Sequence, residues 1–225
     1  TNRIPGTYTG VASSGGGGAS SLNGLSDVLM ELSSLYIGHD PNATTNTADY
    51  NVAVGVSALR VITTGDSNTA IGYRALSKND AGESNTAIGF ESLRDNTSGN
   101  GNTAIGRHAL KSLNPSDPET ESHGNVAIGK GTLPHLTTGT YNIAIGSDGI
   151  GMDLTTGSGN VIIGGFDVSS SSASNQIVIG DAAIGTGDNE IALGNNSISA
   201  IKAAVTTITA YSDIRIKKDI NDCNL

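Results

Sequence analysis

Asn68-Thr69-Ala70-Ile71-Gly72 decides how this chain reads, because close copies of it recur along most of the 225 residues. Aligned on glycine, nine copies end at Gly55, Gly72, Gly89, Gly106, Gly129, Gly146, Gly164, Gly180 and Gly194, at steps of 17, 17, 17, 23, 17, 18, 16 and 14 residues. Self-similarity at a short, nearly constant period is the signature of a repeat architecture, in which each unit buries its apolar surface only against its neighbours.

The columns of that alignment define one unit. One residue before each glycine stands Val, Ile or, once, Leu193, and three before it stands Val, Thr or Ile in every copy. Between these two columns lies Ala in seven copies, with Ile162 and Val178 as the exceptions. Side chains alternate along a strand, so Thr69 and Ile71 share a bulky face, while Ala70 and Gly72 share a thin one. Four residues past each glycine comes a second apolar station: Leu59, Leu76, Leu93, Leu110, Leu133, Ile150, Val168, Ile184 and Ile198. Thr/Gly/Asn turn elements such as Thr63-Thr64-Gly65 and Asn96-Thr97-Ser98-Gly99 follow it. Strand, turn, aliphatic anchor, turn describes one rung of a parallel β-solenoid or β-roll, and the fold class is all-β.

The expected packing puts the β-branched columns and the Leu station in a thin coil core. The Ala/Gly column then meets either partner subunits around a three-fold axis or the opposite wall of the same coil. Asn51, Asn68, Asn85, Asn102, Asn125, Asn142 and Asn160 open the strands and read as structural, bonding turn backbone or stacking as a ladder between rungs. With Ala70, Ile71, Gly72, Gly89 and Gly106 they are the repeat residues on which the shaft rests. Nine rungs at about 4.8 Å make a rod segment of roughly 38 Å.

Outside the array, residues 1–21 have the Gly/Ser composition of a flexible linker, with Gly15-Gly16-Gly17-Gly18 at its centre. Residues 22–50 read as an N-terminal cap in which Leu35-Tyr36-Ile37-Gly38 is a degenerate copy of the strand. Residues 51–200 form the nine-rung shaft, and the 23-residue step, with Pro115 and Pro118, reads as a loop bulging from one rung. Residues 201–211 are a β-branched connector, and 212–225 open a further segment.

Composition narrows the function classes. Aromatics are 4%, Trp is absent and Gly numbers 31, so the core must be small and β-branched, and a sugar-stacking cleft is disfavoured. A formal charge of −9 makes nucleic acid and anionic membranes poor partners. No apolar run is long enough for a membrane-spanning helix, and no membrane insertion is expected. The single cysteine, Cys223, excludes an intrachain disulfide framework, and the four histidines, His39, His108, His123 and His135, are scattered. Neither a metal site nor any cofactor is expected. Acidic residues such as Asp117, Glu119 and Glu121 gather in a loop, as solvated edges do, rather than pairing as glycosidase carboxylates. The chain begins at Thr1 without Met, as a fragment of a longer protein does.

The Asn-Thr-Ala-Ile-Gly copies at 68–72, 85–89 and 102–106 resemble the repeats of phage tail fibres. They are also similar to those in the heads of trimeric autotransporter adhesins, whose left-handed parallel β-rolls form homotrimers. Near the end of the chain, Ser212-Asp213-Ile214-Arg215-Ile216-Lys217 resembles the opening of the intramolecular chaperone domain that helps phage fibres and tailspikes trimerise and then cleaves itself off. That resemblance implies Ser212 as nucleophile and Lys217 as general base, with scission between Ser212 and Asp213. Only the stretch from Ile214 to Leu225 follows, far short of a folded chaperone, so autocleavage is expected only of a longer precursor and the shaft itself is not expected to be an enzyme.

Together the resemblances imply an intimately associated homotrimer, a structural part of a virion tail fibre. It would be joined to other fibre proteins through its N-terminal side and directed at a host-surface receptor or glycan. Loops on the rungs, the 111–123 bulge first, are the expected contact points. The runner-up is the head of a bacterial trimeric adhesin. An enzyme, either a Ser/Lys self-processing protease or a glycan-degrading tailspike, is the alternative from another class.

Overall fold

The structure is a computed structural model that describes residues 28–31 (main chain only), 33–38, 47–115, 124–164 and 167–199. The chain divides into two compact units, Thr1–Asn195 and Asn196–Leu225, and the architecture below belongs to the first. The expectations for residues 1–27, the tip of the bulge at 116–123, and the segment from 200 onward, which contains Ser212, Lys217 and Cys223, fall outside the described residues.

Eleven strands form one sheet in sequence order. β1 (Val28–Glu31) and β2 (Ser34–Ile37) make an antiparallel hairpin; β3 (Val52–Val54), β4 (Thr69–Ile71), β5 (Thr86–Ile88), β6 (Thr103–Ile105) and β7 (Val126–Ile128) follow. β8 (Ile143–Ile145), β9 (Val161–Ile163), β10 (Ile177–Ile179) and β11 (Ile191–Leu193) complete the sheet. From β2 to β11 every neighbouring pair is parallel, and each copy of the repeat lies in register on the last, Ala53 on Ala70 on Ala87 on Ala104. This is a parallel β-solenoid. Leu35-Tyr36-Ile37 pairs with Val52-Ala53-Val54 and so adds one rung at the N-terminal end. β1 then covers the edge of β2 and removes one open edge that would otherwise pair with another chain.

The expected assignment of faces is reversed. The thin column points inward: Ala53, Ala70, Ala87, Ala104, Ala127 and Ala144 are all buried. The bulky columns point outward, with Ile71 at 39%, Ile145 at 38% and Ile191 at 66% exposure. The reason is coil width. The interior is filled from the opposite wall by Leu59, Leu76, Leu93, Leu110 and Leu133, all fully buried, and little more than a methyl group fits between them and the sheet. Of the two partners expected for the Ala column, the opposite wall of the same coil is the one present. At one rung the rule relaxes. A Cβ on Gly151 would fall 2.6 Å from Leu133 and 3.2 Å from Ile162, so the glycine leaves room for Ile162 where alanine stands elsewhere.

A third inward column, seven residues past the glycine, consists of Ile62, Asn79, Asn96, Leu113 and Leu136 and continues in Leu154, eight past Gly146. The corners are sharp because non-glycine residues adopt left-handed backbone. Arg74, Glu91 and His108, two past the glycine, have φ of 55°, 53° and 62°, and Leu76, Leu93 and Leu110 have φ of 49°, 47° and 49°. Each such residue costs about 1–2 kcal/mol in isolation. The stack holds them there through inter-rung bonds such as Leu76 N to Ser92 O at 3.1 Å and Arg74 N to Val56 O at 3.0 Å. The glycine column has its own reason: Gly72 has φ of +131°, and a Cβ on it would lie 2.6 Å from the carbonyl oxygen of Gly89.

The strand-opening asparagines form a buried ladder. The Nδ2 group of Asn68 donates to Asn51 Oδ1 at 3.1 Å and to Gly82 O at 2.8 Å. Its Oδ1 accepts from the backbone N–H of Asn85 at 3.0 Å and from Asn85 Nδ2 at 3.1 Å. The pattern continues through Asn85, Asn102, Asn125, Asn142 and Asn160. At Gln176 the extra methylene carries the amide away, and it bonds Ser169 instead. Both readings of these asparagines, turn bonding and ladder, therefore describe the same side chains.

Candidate functional site

Two surfaces of the shaft stand out for chemistry. The first is the outward strand face. Val52, Ile71, Ile105, Ile143, Ile145, Ile163 and Ile179 are all more than a third exposed, and the stripe ends at Ile191 and Leu193. Ten strands at about 4.8 Å make it roughly 43 Å long, and two side-chain columns make it roughly 10 Å wide. Its area is on the order of 400 Å², in the range of the largest apolar patches that monomers expose, which are often functional.

The second surface begins at the corner just past each glycine, where equivalent residues of successive rungs become neighbours. Tyr73 stacks on Phe90 with centroids 5.2 Å apart at 23°, and His108 meets Phe90 edge-on at 5.5 Å. Arg74 lies 5.1 Å over the Tyr73 ring and Arg107 lies 5.9 Å over Phe90, both within cation–π range. Beside this column Glu91 is buried among cations. Its carboxylate is 3.1 Å from Arg94 Nη1, 3.5 Å from both His108 Nε2 and Lys111 Nζ, and 3.7 Å from Arg74 Nη1. Asp95 receives Lys78 Nζ at 2.7 Å, Arg94 Nε at 3.0 Å and Arg94 Nη2 at 2.5 Å.

Burial of Asp95 works to raise its pKa, but the bonds from Arg94 and Lys78 prevail and hold it below the usual carboxylate range. The bond to Asp95 likewise raises Arg94, against the burial that would lower it. His108 is pushed down by burial and by Lys111 and Arg107, against the opposing pull of Glu91. Elsewhere, buried Asp167 is pushed up by desolvation, although it accepts backbone N–H bonds from Val168 and Asp153.

A slot of about 460 Å³ opens on the same wall, lined by Ser57, Arg60, Arg74, Ser77, Lys78 and Arg94. Sequence reasoning missed it, because these residues are spread over 38 positions and only the stacking of rungs assembles them. The signal was present as small residues at positions where neighbouring copies hold long cations: Ser77 lies between Arg60 and Arg94, five past each glycine, and Ser57 precedes Arg74, two past.

The sequence-predicted residues distribute as follows. Asn68, Asn85 and Asn102 are ladder members, Ala70 is interior, Ile71 is on the outward stripe, and Gly72, Gly89 and Gly106 form the close-packed glycine column. Of the histidines, His108 joins the charged corner and His135 Nδ1 lies 3.0 Å from Met152 O. His39 and His123 are outside the described residues, as are the would-be autocleavage pair Ser212 and Lys217. Among the described residues no group of three or more His, Cys, Asp or Glu side chains is placed to hold a metal ion.

Fold and surfaces together define the class: a parallel β-solenoid repeat protein with an apolar outward stripe. No protein family, curated protein or solved structure matches the chain.

Proposed function

We propose that the chain is a shaft segment of a homotrimeric viral tail fibre, most similar in its repeats to those of phages, which carries a host-binding surface away from the virion. The observation that carries this reading is the unbroken outward stripe of β-branched side chains along the coil. A single solenoid has no use for it, since its own core is already filled by the Ala and Leu columns. Burying it against two further copies, at about 25 cal/mol per Å², would contribute about 10 kcal/mol per chain before association entropy is subtracted. Further support comes from the Ser212–Lys217 stretch, which resembles the start of a trimerising chaperone. The function is mechanical presentation, and no catalysis is assigned to the shaft.

Multi-angle light scattering of the purified chain tests this reading. The expected mass is three chains for the parent and one for the combined variant Ile71→Asp, Ile105→Asp, Ile145→Asp, which alters only outward positions. A monomeric parent, or a variant that keeps the trimer mass, refutes the proposal.

A further inference from the structure

The formal charge of −9 hides a segregation of charge. On the wall just past the glycines, between Val56 and Leu113, stand Arg60, Arg74, Lys78, Arg94, Arg107 and Lys111 against only two carboxylates, Glu91 and Asp95. The acids of the same rungs lie on the turns of another corner. There Asp66 Oδ1 accepts from Asp49 N at 2.7 Å, Asp80 O accepts from Thr63 N at 3.0 Å, and Glu83 N donates to Asn100 Oδ1 at 2.6 Å. The slot lined by Ser57, Arg60, Arg74, Ser77, Lys78 and Arg94 opens where the excess of cations is concentrated.

Its geometry is preorganised. Arg94 is held by Asp95 through two bonds and by Glu91 through a third, and Arg74 is seated over the Tyr73 ring. Arg60 makes no ion pair among the described residues and so is available to a ligand, while Lys78 is paired with Asp95 at 2.7 Å but has half of its side chain exposed, so an oxyanion can share it. Arg60 and Arg94 are two rungs apart, about 10 Å along the rod, and Ser77 leaves the gap between them.

We infer that this slot binds an acidic polysaccharide, a sugar chain carrying carboxylate or sulfate groups. Guanidinium groups grip such oxyanions in a bidentate manner, and the serine hydroxyls suit sugar hydroxyls. Cations repeated along the rod match charges repeated along a chain whose rings each span about one rung. Single-stranded nucleic acid is the poorer fit, because the aromatic rings beside the slot, Tyr73 and Phe90, stack on each other and are covered by Arg74 and Arg107. That the polysaccharide belongs to a host surface rests on the fibre reading above. Binding itself does not.

The test is isothermal titration of the whole chain at low salt with four probes: a polyglucuronate oligomer, a dextran sulfate oligomer, neutral dextran and a single-stranded oligonucleotide of equal charge. Binding is expected for at least one acidic glycan, which separates carboxylate from sulfate recognition, and should weaken as salt rises. The variant Arg60→Gln with Lys78→Gln should bind about tenfold or more weakly while its circular dichroism shows the chain still folded, given loss of two charge-assisted contacts to the ligand. Lys130→Gln, on a distant rung, should leave affinity unchanged. Equal affinity of parent and double variant, equal binding of neutral dextran, or tighter binding of the oligonucleotide overturns the proposal. The mass measurement reads the fibre proposal separately: a trimer without glycan binding removes the slot assignment alone, and a glycan-binding monomer removes the fibre assignment alone.

Discussion

Replacing Asn68 by alanine removes four buried hydrogen bonds at once: two donated by its Nδ2, to Asn51 Oδ1 and Gly82 O, and two accepted by its Oδ1, from Asn85 N and Asn85 Nδ2. Two of the partners are not left bare. Gly82 O keeps Asn79 Nδ2 at 2.8 Å, and Asn51 Oδ1 keeps the backbone N–H of residue 68 at 2.9 Å. The Asn85 backbone N–H, however, loses its acceptor while fully buried, and one hydrogen of Asn85 Nδ2 loses its own. At about 1 kcal/mol net for each of three bonds, with the orphaned N–H toward the upper end of its range of about 1–3 kcal/mol, the loss is about 5–6 kcal/mol per chain. Urea denaturation followed by far-UV circular dichroism should show it as a clear drop in the midpoint. Thr97→Ala, which deletes one exposed bond to Asn114, should change stability by about 0.5 kcal/mol or less. A loss below about 1 kcal/mol for Asn68→Ala would refute the claim that the ladder is buried and mutually satisfied.

Ala87→Leu tests the direction of the thin column: it forces a branched side chain against the Leu wall and should destabilise by about 1–3 kcal/mol in the same assay, whereas Thr86→Ile, one residue away on the outer face, should leave the chain folded with an unchanged midpoint. An unchanged midpoint for Ala87→Leu would mean that the column faces outward. Asp167 supplies a pH test. Its folded pKa lies above its unfolded value, so the folded state gains relative stability as pH falls toward about 4 and loses it as pH rises through the folded pKa. Asp167→Asn keeps an acceptor for the Val168 N–H and should raise the melting temperature at pH 7 while leaving it unchanged near pH 3. A melting temperature at pH 7 that falls instead would show that the charge is worth more to the fold than its desolvation costs.

The amino-acid sequence by itself determined the repeat. A glycine every 17 or so residues, β-branched columns in alternation and an asparagine at seven of the nine strand starts specify short parallel strands stacked in register, because only stacking buries such thin units. What alternation does not carry is direction. Thr69 and Ile71 against Ala70 define two faces, and either could be the inside until the width between the sheet and the Leu wall is known. Tertiary structure made that choice, leaving room for alanine and turning isoleucine out to form a stripe. It also chose left-handed corners at Arg74 and Leu76, which no glycine advertises. Finally, it joined Arg60, Lys78 and Arg94, spread over three copies, into one slot. The coil converts 17 residues of chain into about 4.8 Å of space, so neighbourhood on this protein is set by position within the repeat and not by distance along the chain.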